Sequence, residues 1–441
     1  MTFLLWLNNH RLNDNPAVQA AVASCRQHNT PLICATHYWP YTDNYGIAID
    51  PAWSAHRRRF NEQSLSDLAE QLARCGQTLY VIAEPIQRAL NLAIKATEPL
   101  AVHCSDPHSP HERHSLLALQ HTATVPIHAH RGLSLFDADQ LPFSIADLPP
   151  TFSQFRKQLE ALVPRAQAPK LMQLPLPPRA VAATLRPWQS HIKSDPQSTW
   201  IGGTDRANRH IKQYFKSTHP QSYKATRNAL SGIHTSTHLS PWLATGAISP
   251  RQVVTALDRH VEIHGANEST HWIEFELLWR EYFYWYAYRH GAAIHAFGGI
   301  QQRPPLTSFY SQRFQQWKNG STPYPLVNAC MKELSETGFM SNRGRQIVAS
   351  CLVNELGVDW RYGAAWFEKQ LIDYDPGSNW GNWQYIAGVG ADPKGGRHFD
   401  IAYQTQRHDP DGIHQARWQG EETMISTHAV DAADWPMAGS G

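Results

Sequence analysis

At 441 residues the chain is long enough for two domains, or for one domain with a large lobe. A formal net charge of +2 excludes nucleic-acid affinity through global charge, so any such affinity must come from local patches. Hydrophobic content is ordinary at 42%, charged content is low at 17%, and no apolar run reaches the roughly 18 residues of a membrane span.

The opening run, Phe3-Leu4-Leu5-Trp6-Leu7, is too short for a secretory segment and lacks a basic lead. Strands are predicted at residues 3–7, 32–38, 78–82, 100–104 and 125–129. Helices are predicted between them at 17–28, 54–75, 87–96 and 111–121. This alternation over 1–130 predicts βαβ units around a doubly wound parallel sheet. No G-x-G-x-x-G follows the first strand, so that dinucleotide fingerprint is absent. Residues 131–200 carry Pro149, Pro150, Pro164, Pro169, Pro175, Pro177, Pro178, Pro187 and Pro196. Repeated prolines block long helices and central strands, which predicts a long interdomain connector. Helical periodicity then dominates 201–420, and 421–441 lose it, as a fraying tail does.

The six cysteines, Cys25, Cys34, Cys75, Cys104, Cys330 and Cys351, form no C-x-x-C pair, which fits reduced thiols in a cytoplasmic protein. Two in the C-terminal half are too few for a four-cysteine iron–sulfur cluster. Sixteen tryptophans suit either an indole-rich core or stacking and electron transfer.

Four stretches could carry chemistry. In Ser236-Thr237-His238-Leu239-Ser240-Pro241, Ser240 is a predicted helix N-cap with Pro241 at the first helical position. Such a terminus suits phosphate, although ordinary capping explains most Ser-Pro helix starts. Just upstream, Arg206, Arg209, Lys212, Lys216, Lys224 and Arg227 make a basic stretch whose simplest reading is a solvated face. Glu276, Trp279 and Arg280 share one helical face, as a stacking and hydrogen-bonding stripe or as a packed indole beside an i,i+4 ion pair. Asn342 and Arg345 are three apart, and Arg345 can pair with Asp373 or Asp375; a buried pair of that kind is costly unless well bonded. Finally, Asp373-Tyr374-Asp375-Pro376-Gly377-Ser378-Asn379-Trp380-Gly381-Asn382-Trp383-Gln384-Tyr385 gathers carboxylates, carboxamides and indoles, a mixture suited to a planar, heteroatom-rich redox ring.

Taken in order, Tyr223-Lys224-Ala225-Thr226-Arg227-Asn228, Ser236–Ser240, Glu276–Arg280, Asn342–Arg345 and Asp373–Tyr385 resemble the flavin domain of the photolyase/cryptochrome family. The phrases Arg343-Gly344-Arg345-Gln346 and Asn379-Trp380-Gly381-Asn382-Trp383-Gln384-Tyr385 resemble its DASH branch. The resemblance implies an α/β N-terminal antenna domain joined to an all-helical C-terminal FAD-binding domain. It implies that Tyr223, Ser236, Thr237, His238, Leu239 and Ser240 hold the FAD phosphates and ribityl chain. Arg345 and Asp373 match the ion pair beside the isoalloxazine, Asp375 an acceptor for the ring or the adenine side, and Asn379 the residue facing N5. Trp383, Trp360 and Trp317 match an indole relay from the surface to the flavin. Glu276 matches the carboxylate that bonds a thymine edge, Asn342 a polar neighbour and Trp279 an aromatic wall, with Arg280 on the same DNA-facing stripe.

Tyr385 stands where classical photolyases have a second tryptophan wall, and Gln346 replaces a methionine. Both changes weaken stacking, which contributes about 1–3 kcal/mol per base, and so favour an already unpaired lesion. The resemblance therefore implies light-driven repair of cyclobutane pyrimidine dimers, chiefly in single-stranded DNA, by a monomer that needs neither membrane nor metal. The alternative is a signalling cryptochrome that binds DNA or protein without repair; Glu276 favours repair. Repair of 6-4 photoproducts needs pocket histidines, and Met340-Ser341-Asn342-Arg343 offers none. Three departures stand out. The opening motif Leu7-Asn8-Asn9-His10-Arg11-Leu12-Asn13-Asp14-Asn15 is one residue short and lacks the first arginine and the acid. His103-Cys104-Ser105-Asp106-Pro107-His108-Ser109 lacks the acidic pair of a folate antenna, which puts methenyltetrahydrofolate in question. Asn328 sits where an aspartate is usual.

Overall fold

The computed structural model describes residues 1–43, 45–165, 173–189, 199–392, 395–421 and 423. Five strands, β1 (Phe3–Trp6), β2 (Leu32–His37), β3 (Leu79–Ile82), β4 (Val102–Ser105) and β5 (Ile127–His130), alternate with helices α1 (Pro16–His28), α2 (Ala55–Arg74), α3 (Ile86–Thr97) and α4 (Pro110–Thr122). The sheet is parallel throughout, in the order β3-β2-β1-β4-β5. Both faces are covered, which is why the central strand β1 reads as an unbroken apolar run and β2 begins as one. Phe3 and Leu5 pack with Val18, Val22, Leu65 and Leu68 of α1 and α2. Leu4 and Trp6 face the other way, onto Leu90, Ile94, Leu116 and Leu119 of α3 and α4.

In such sheets ligands favour the crevice where the strand order reverses, here between β1 and β4. This chain fills it with its own side chains. Asn8 Nδ2 donates to Ser105 O at 2.8 Å, Asn9 Nδ2 to Ser105 Oγ at 2.7 Å, and Asn15 Nδ2 to Asn9 Oδ1 at 2.7 Å. Arg11, fully buried, donates to Asp14 O at 2.9 Å, Gly246 O at 3.0 Å and Gly132 O. The shortened opening motif thus ties the sheet to the helical region.

The Pro-rich stretch is used in two ways. Its segment 185–188 covers the free edge of β3: Val81 N donates to Arg186 O at 3.1 Å and Trp188 N to Leu79 O at 2.8 Å, which blunts an otherwise open strand edge. Its helix α5 (Phe152–Leu159) buries Phe152, Phe155 and Leu159 in the helical core. Pro169 and Pro196 lie outside the described residues.

The rest is helical: α6 (Thr204–Lys216), α7 (Tyr223–Thr226), α8 (Ser240–Ala244), α9 (Pro250–His264), α10 (Glu268–His290), α11 (Ser311–Asn319), α12 (Pro325–Thr337), α13 (Asn342–Ser350), α14 (Trp360–Gln370), α15 (Pro376–Ala387), α16 (Ile401–His408) and α17 (Ile413–Arg417). Helix α10 is the hub. Its second half, Tyr282-Phe283-Tyr284-Trp285-Tyr286-Ala287, is buried on every side, the signature of a central rather than a surface helix. Helix α15 nests on it because Gly377 and Gly381, one turn apart, carry no side chain. A Cβ at Gly377 would come within 2.4 Å of Phe283 O, and one at Gly381 within 2.3 Å of the Phe283 ring.

Asn328 is fully buried and uses both ends of its amide. Oδ1 accepts from Thr322 N at 2.8 Å, and Nδ2 donates to Thr322 O and Glu421 O, each at 2.7 Å. An aspartate has no donor for those two carbonyls. The expected tail, 421–441, otherwise lies outside the described residues, apart from 421 and 423. No described helix is long and apolar enough to cross a membrane. No group of three or more His, Cys, Asp or Glu among the described residues could hold a metal ion. The six cysteines are free.

Candidate functional site

A cavity of about 1090 Å³ opens between the 223–243 segment and helices α10, α13, α14 and α15. It lies just above the roughly 300–1,000 Å³ of a small-molecule site. Every residue expected from the sequence to bind cofactor or DNA lines it: Tyr223, Ser236 to Ser240, Glu276, Trp279, Arg280, Asn342, Arg345, Gln346, Asp373, Asp375, Asn379 and Tyr385. Trp383 lines it too, whereas Trp317 and Trp360 lie behind the wall.

One end is built from hydroxyls and backbone. His238 takes a left-handed conformation, φ 50°, and the Thr226 hydroxyl pins Thr235 O at 2.8 Å. The Ser240 cap expected from the sequence is not made. Leu239 is the cap, Ser240 is the first helical residue, and α8 is five residues long, too short for a helix dipole to matter. The reason is a stronger partner: the Ser240 hydroxyl donates to Asp373 Oδ2 at 2.6 Å.

The middle is ionic. Arg345 Nη2 donates to both Asp373 oxygens, at 3.0 and 2.8 Å, and its Nε to Met340 O at 2.9 Å. Asp375 caps α15, accepting from Ser378 N at 2.8 Å; its other oxygen faces His108 Nε2 at 3.1 Å and Arg280 at 3.7 Å. Burial pushes this carboxyl up, but His108, Arg280 and the Ser378 N–H together hold it well below the usual carboxylate range. Asn379 Nδ2 donates to Ala364 O at 3.0 Å. Its amide oxygen is thereby the group free to accept an N–H inside the cavity.

The far end carries Glu276, Trp279, Asn342, Gln346 and Tyr385. Glu276 pairs with Arg227, not with Arg280 four residues on. Arg280 is drawn instead to Asp375 and to Leu133 O at 2.9 Å. Burial raises the Glu276 carboxyl, opposed by Arg227 and Trp272. The basic stretch therefore splits: Arg206, Arg209, Lys212 and Lys216 form a solvated face of α6, while Arg227 turns into the cavity. One face of the Trp279 indole is stacked on Phe152 at 3.7 Å and 14°. Tyr385 meets Trp279 edge-on at 6.1 Å, and its hydroxyl accepts from Arg397 at 2.7 Å.

Three participants escape sequence reasoning. His108 reaches Asp375 from 267 residues away, Arg397 orients Tyr385, and Glu333 is a buried cavity carboxylate. Nothing in local spacing signals any of them. Trp317, one of the three indoles matched to a relay between surface and flavin, does not reach the surface. It is fully buried, with Nε1 bonded to Val348 O at 2.8 Å.

Burial raises the Glu333 carboxyl to about 8, against Arg417 and Arg345. His414, 3.8 Å away, is lowered by burial to about 4. At neutral pH both are uncharged, so this contact is not an ion pair. A raised folded pKa means that the folded state holds the proton better. Its stabilisation is complete below the usual 4.5 and lost as pH rises through about 8. Glu333→Gln is expected to flatten the fall in thermal stability between pH 6.5 and 8, above the His414 transition. Melting curves of both proteins across that window check it.

Gly363 is the platform for Trp383. A Cβ there would lie 2.2 Å from Trp383 Cη2 and 2.6 Å from Leu352 Cδ2. Gly363→Ala is expected to cost about 1–3 kcal/mol by overpacking and to displace the indole from the cavity wall, read by urea unfolding and tryptophan fluorescence.

A parallel α/β domain set against a helical domain, whose indole-lined cavity holds an Arg–Asp pair and a free carboxamide oxygen, defines a photolyase-type flavin fold. Residues 3–176 match the family model described as DNA photolyase, and 272–439 that of the FAD binding domain of DNA photolyase. The chain is 46% identical over 437 residues to cryptochrome DASH of Idiomarina loihiensis, covering 98% of this chain and 95% of that one. It is 46% identical over 430 residues to cryptochrome DASH of Vibrio parahaemolyticus, covering 97% and 95%. The crystal structure of a Synechocystis cryptochrome superposes with a TM-score of 0.86 at 34% identity, over 95% of this chain and 88% of that one. The chain belongs to the photolyase/cryptochrome family, in its DASH branch.

Proposed function

We propose that the protein holds FAD in this cavity and uses light to split cyclobutane pyrimidine dimers in DNA, with single strands as the preferred substrate. The observation that carries the proposal is the pairing of two unlike walls in one cavity. Arg345–Asp373 and the Asn379 oxygen suit a polar ring edge, and Glu276, Trp279, Asn342 and Tyr385 face the same space. Reduced FAD, when bound, supplies one electron under blue or near-UV light and takes it back after the cyclobutane ring opens. The chain's part is placement. Ser236 and Thr237 offer hydroxyl donors and the 236–240 backbone offers N–H donors to phosphates, Asn379 accepts a ring N–H, and Glu276 accepts from a thymine edge.

Strand preference follows from the walls. Trp279 has one face already covered by Phe152, and Tyr385 is held edge-on to Trp279 by Arg397. Less stacking is then left to offset the cost of pulling a dimer out of a duplex, a few kcal/mol. Arg227, Arg343 and Arg397 beside Trp272, Phe399 and Tyr385 give the rim the cation-and-ring character that suits a nucleic-acid strand.

The test is photoreduction of the purified protein followed by illumination with one thymine dimer, placed once in a single strand and once in a duplex. Repair of the single strand alone is expected. Equal repair of both would overturn the wall argument. Repair of neither, with flavin bound and reduced, would overturn the enzyme reading in favour of photosensory signalling.

A further inference from the structure

An electron relay must end on a ring that solution can reach. Trp383, Trp360 and Trp317 are 2%, 0% and 0% exposed, so none of the three can be that end. The ring contacts supply one. Trp383 meets Trp317 at 6.2 Å, edge to face. Trp317 lies near-parallel to Phe314 at 6.1 Å, and Phe314 meets Tyr362 edge-on at 5.6 Å. Tyr362 is half-buried and stacks at 4.0 Å and 18° on Phe309, an exposed ring. Trp360 leads elsewhere: its ring neighbour is Trp380, also fully buried, which adjoins Tyr45 and His295 between the two domains.

We propose that Tyr362 is the surface terminus of the relay, the residue oxidised last and refilled from solution. This rests on the reading of the cavity as an FAD site. Trp383 gives one electron to light-excited oxidised FAD and is refilled by Trp317. Trp317 is refilled by Tyr362 in a single tunnelling step across Phe314, because a phenyl ring is too hard to oxidise to carry the hole itself. Tyr362 releases its phenolic proton to water as it loses the electron, leaving a neutral tyrosyl. A thiol in solution then returns one electron and one proton to its oxygen, and two thiyls formed in two turnovers join as a disulfide.

The other outward rings near this route are poorer ends. Lys318 holds its ammonium group over Trp366 at 5.1 Å, and the Arg313 guanidinium lies 4.1 Å from the Tyr310 centroid. A cation on a ring face opposes removal of an electron from it. The charges beside Tyr362, Asp359 and Arg361, are tied to each other at 2.7 Å, so no net charge sits on the phenol.

The experiment illuminates oxidised holoprotein with dithiothreitol and follows flavin bleaching together with time-resolved absorption and electron paramagnetic resonance. A tyrosyl signal is expected in the native protein. Tyr362→Phe should lose it and photoreduce much more slowly, with flavin content and dark melting temperature unchanged. Tyr362→Trp should restore photoreduction with a tryptophanyl signal, and Tyr310→Phe should behave as native. Photoreduction of Tyr362→Phe at the native rate, or a native signal that is tryptophanyl throughout or moves with Tyr45→Phe, overturns the proposal alone. A protein that takes up no flavin overturns the reading beneath it as well.

Discussion

Arg345→Met is expected to destabilise the protein by about 3–5 kcal/mol, the usual cost of stranding one partner of a buried ion pair, and to abolish flavin retention. Asp373 is the reason. Its side chain is 2% exposed, and its partners on the cavity side are Arg345 and the Ser240 hydroxyl. With the guanidinium gone, one neutral hydroxyl is left to compensate a buried carboxylate. Urea unfolding measures the first effect, and flavin absorbance after desalting measures the second. The double variant Arg345→Met with Asp373→Asn separates them. It removes the stranded charge and should recover most of the stability, yet it lacks the ion pair and should still lose flavin. If both variants keep flavin, the pair is architectural and the cofactor is held elsewhere along the cavity.

Much of this was legible in the sequence, for physical reasons that can be named. Strands of a covered parallel sheet carry short apolar stretches spaced by helices, and all five appear within a residue or two of their expected bounds. Glu276 and Arg280 share a cavity because three and four residues make one helical face. What escaped was the choice between partners. Helical spacing offers Glu276 the guanidinium at Arg280, but Asp375 and Leu133 O lie closer to that side chain, and Glu276 takes Arg227 from 49 residues upstream. Ser240 reads as a cap until Asp373, 133 residues away, claims its hydroxyl. His108 is the extreme case, because it acts across the domain boundary on a carboxylate that also caps a helix. Trp383, Trp360 and Trp317 matched relay positions, but burial is a property of the packed chain, and it leaves none of the three at the surface.

Glu276→Ala is expected to lower dimer repair by roughly 10- to 150-fold, the equivalent of losing a charge-assisted hydrogen bond of about 1.5–3 kcal/mol, while leaving flavin content and folding nearly intact. Both halves follow from position. The Glu276 side chain is 30% exposed to the cavity and that of Arg227 21%, so water can solvate the arginine once its partner is gone. A half-buried pair that opens onto the cavity lies between a surface pair, at about 0–1 kcal/mol, and a sealed one, at about 3–5 kcal/mol. The Arg345–Asp373 pair stands apart from it and is untouched. Glu276→Gln keeps a neutral acceptor and should retain part of the activity. The pH profile discriminates further. Because burial raises this carboxyl, the acceptor form is lost on acidification sooner than for an ordinary glutamate. Native repair should therefore fall as pH drops through that raised value, and the glutamine variant should lack that limb. A structural role alone would leave the limb in both proteins. Repair yields per absorbed photon, measured on a single-stranded dimer across pH for native, Ala and Gln proteins at matched reduced-flavin content, decide between the two.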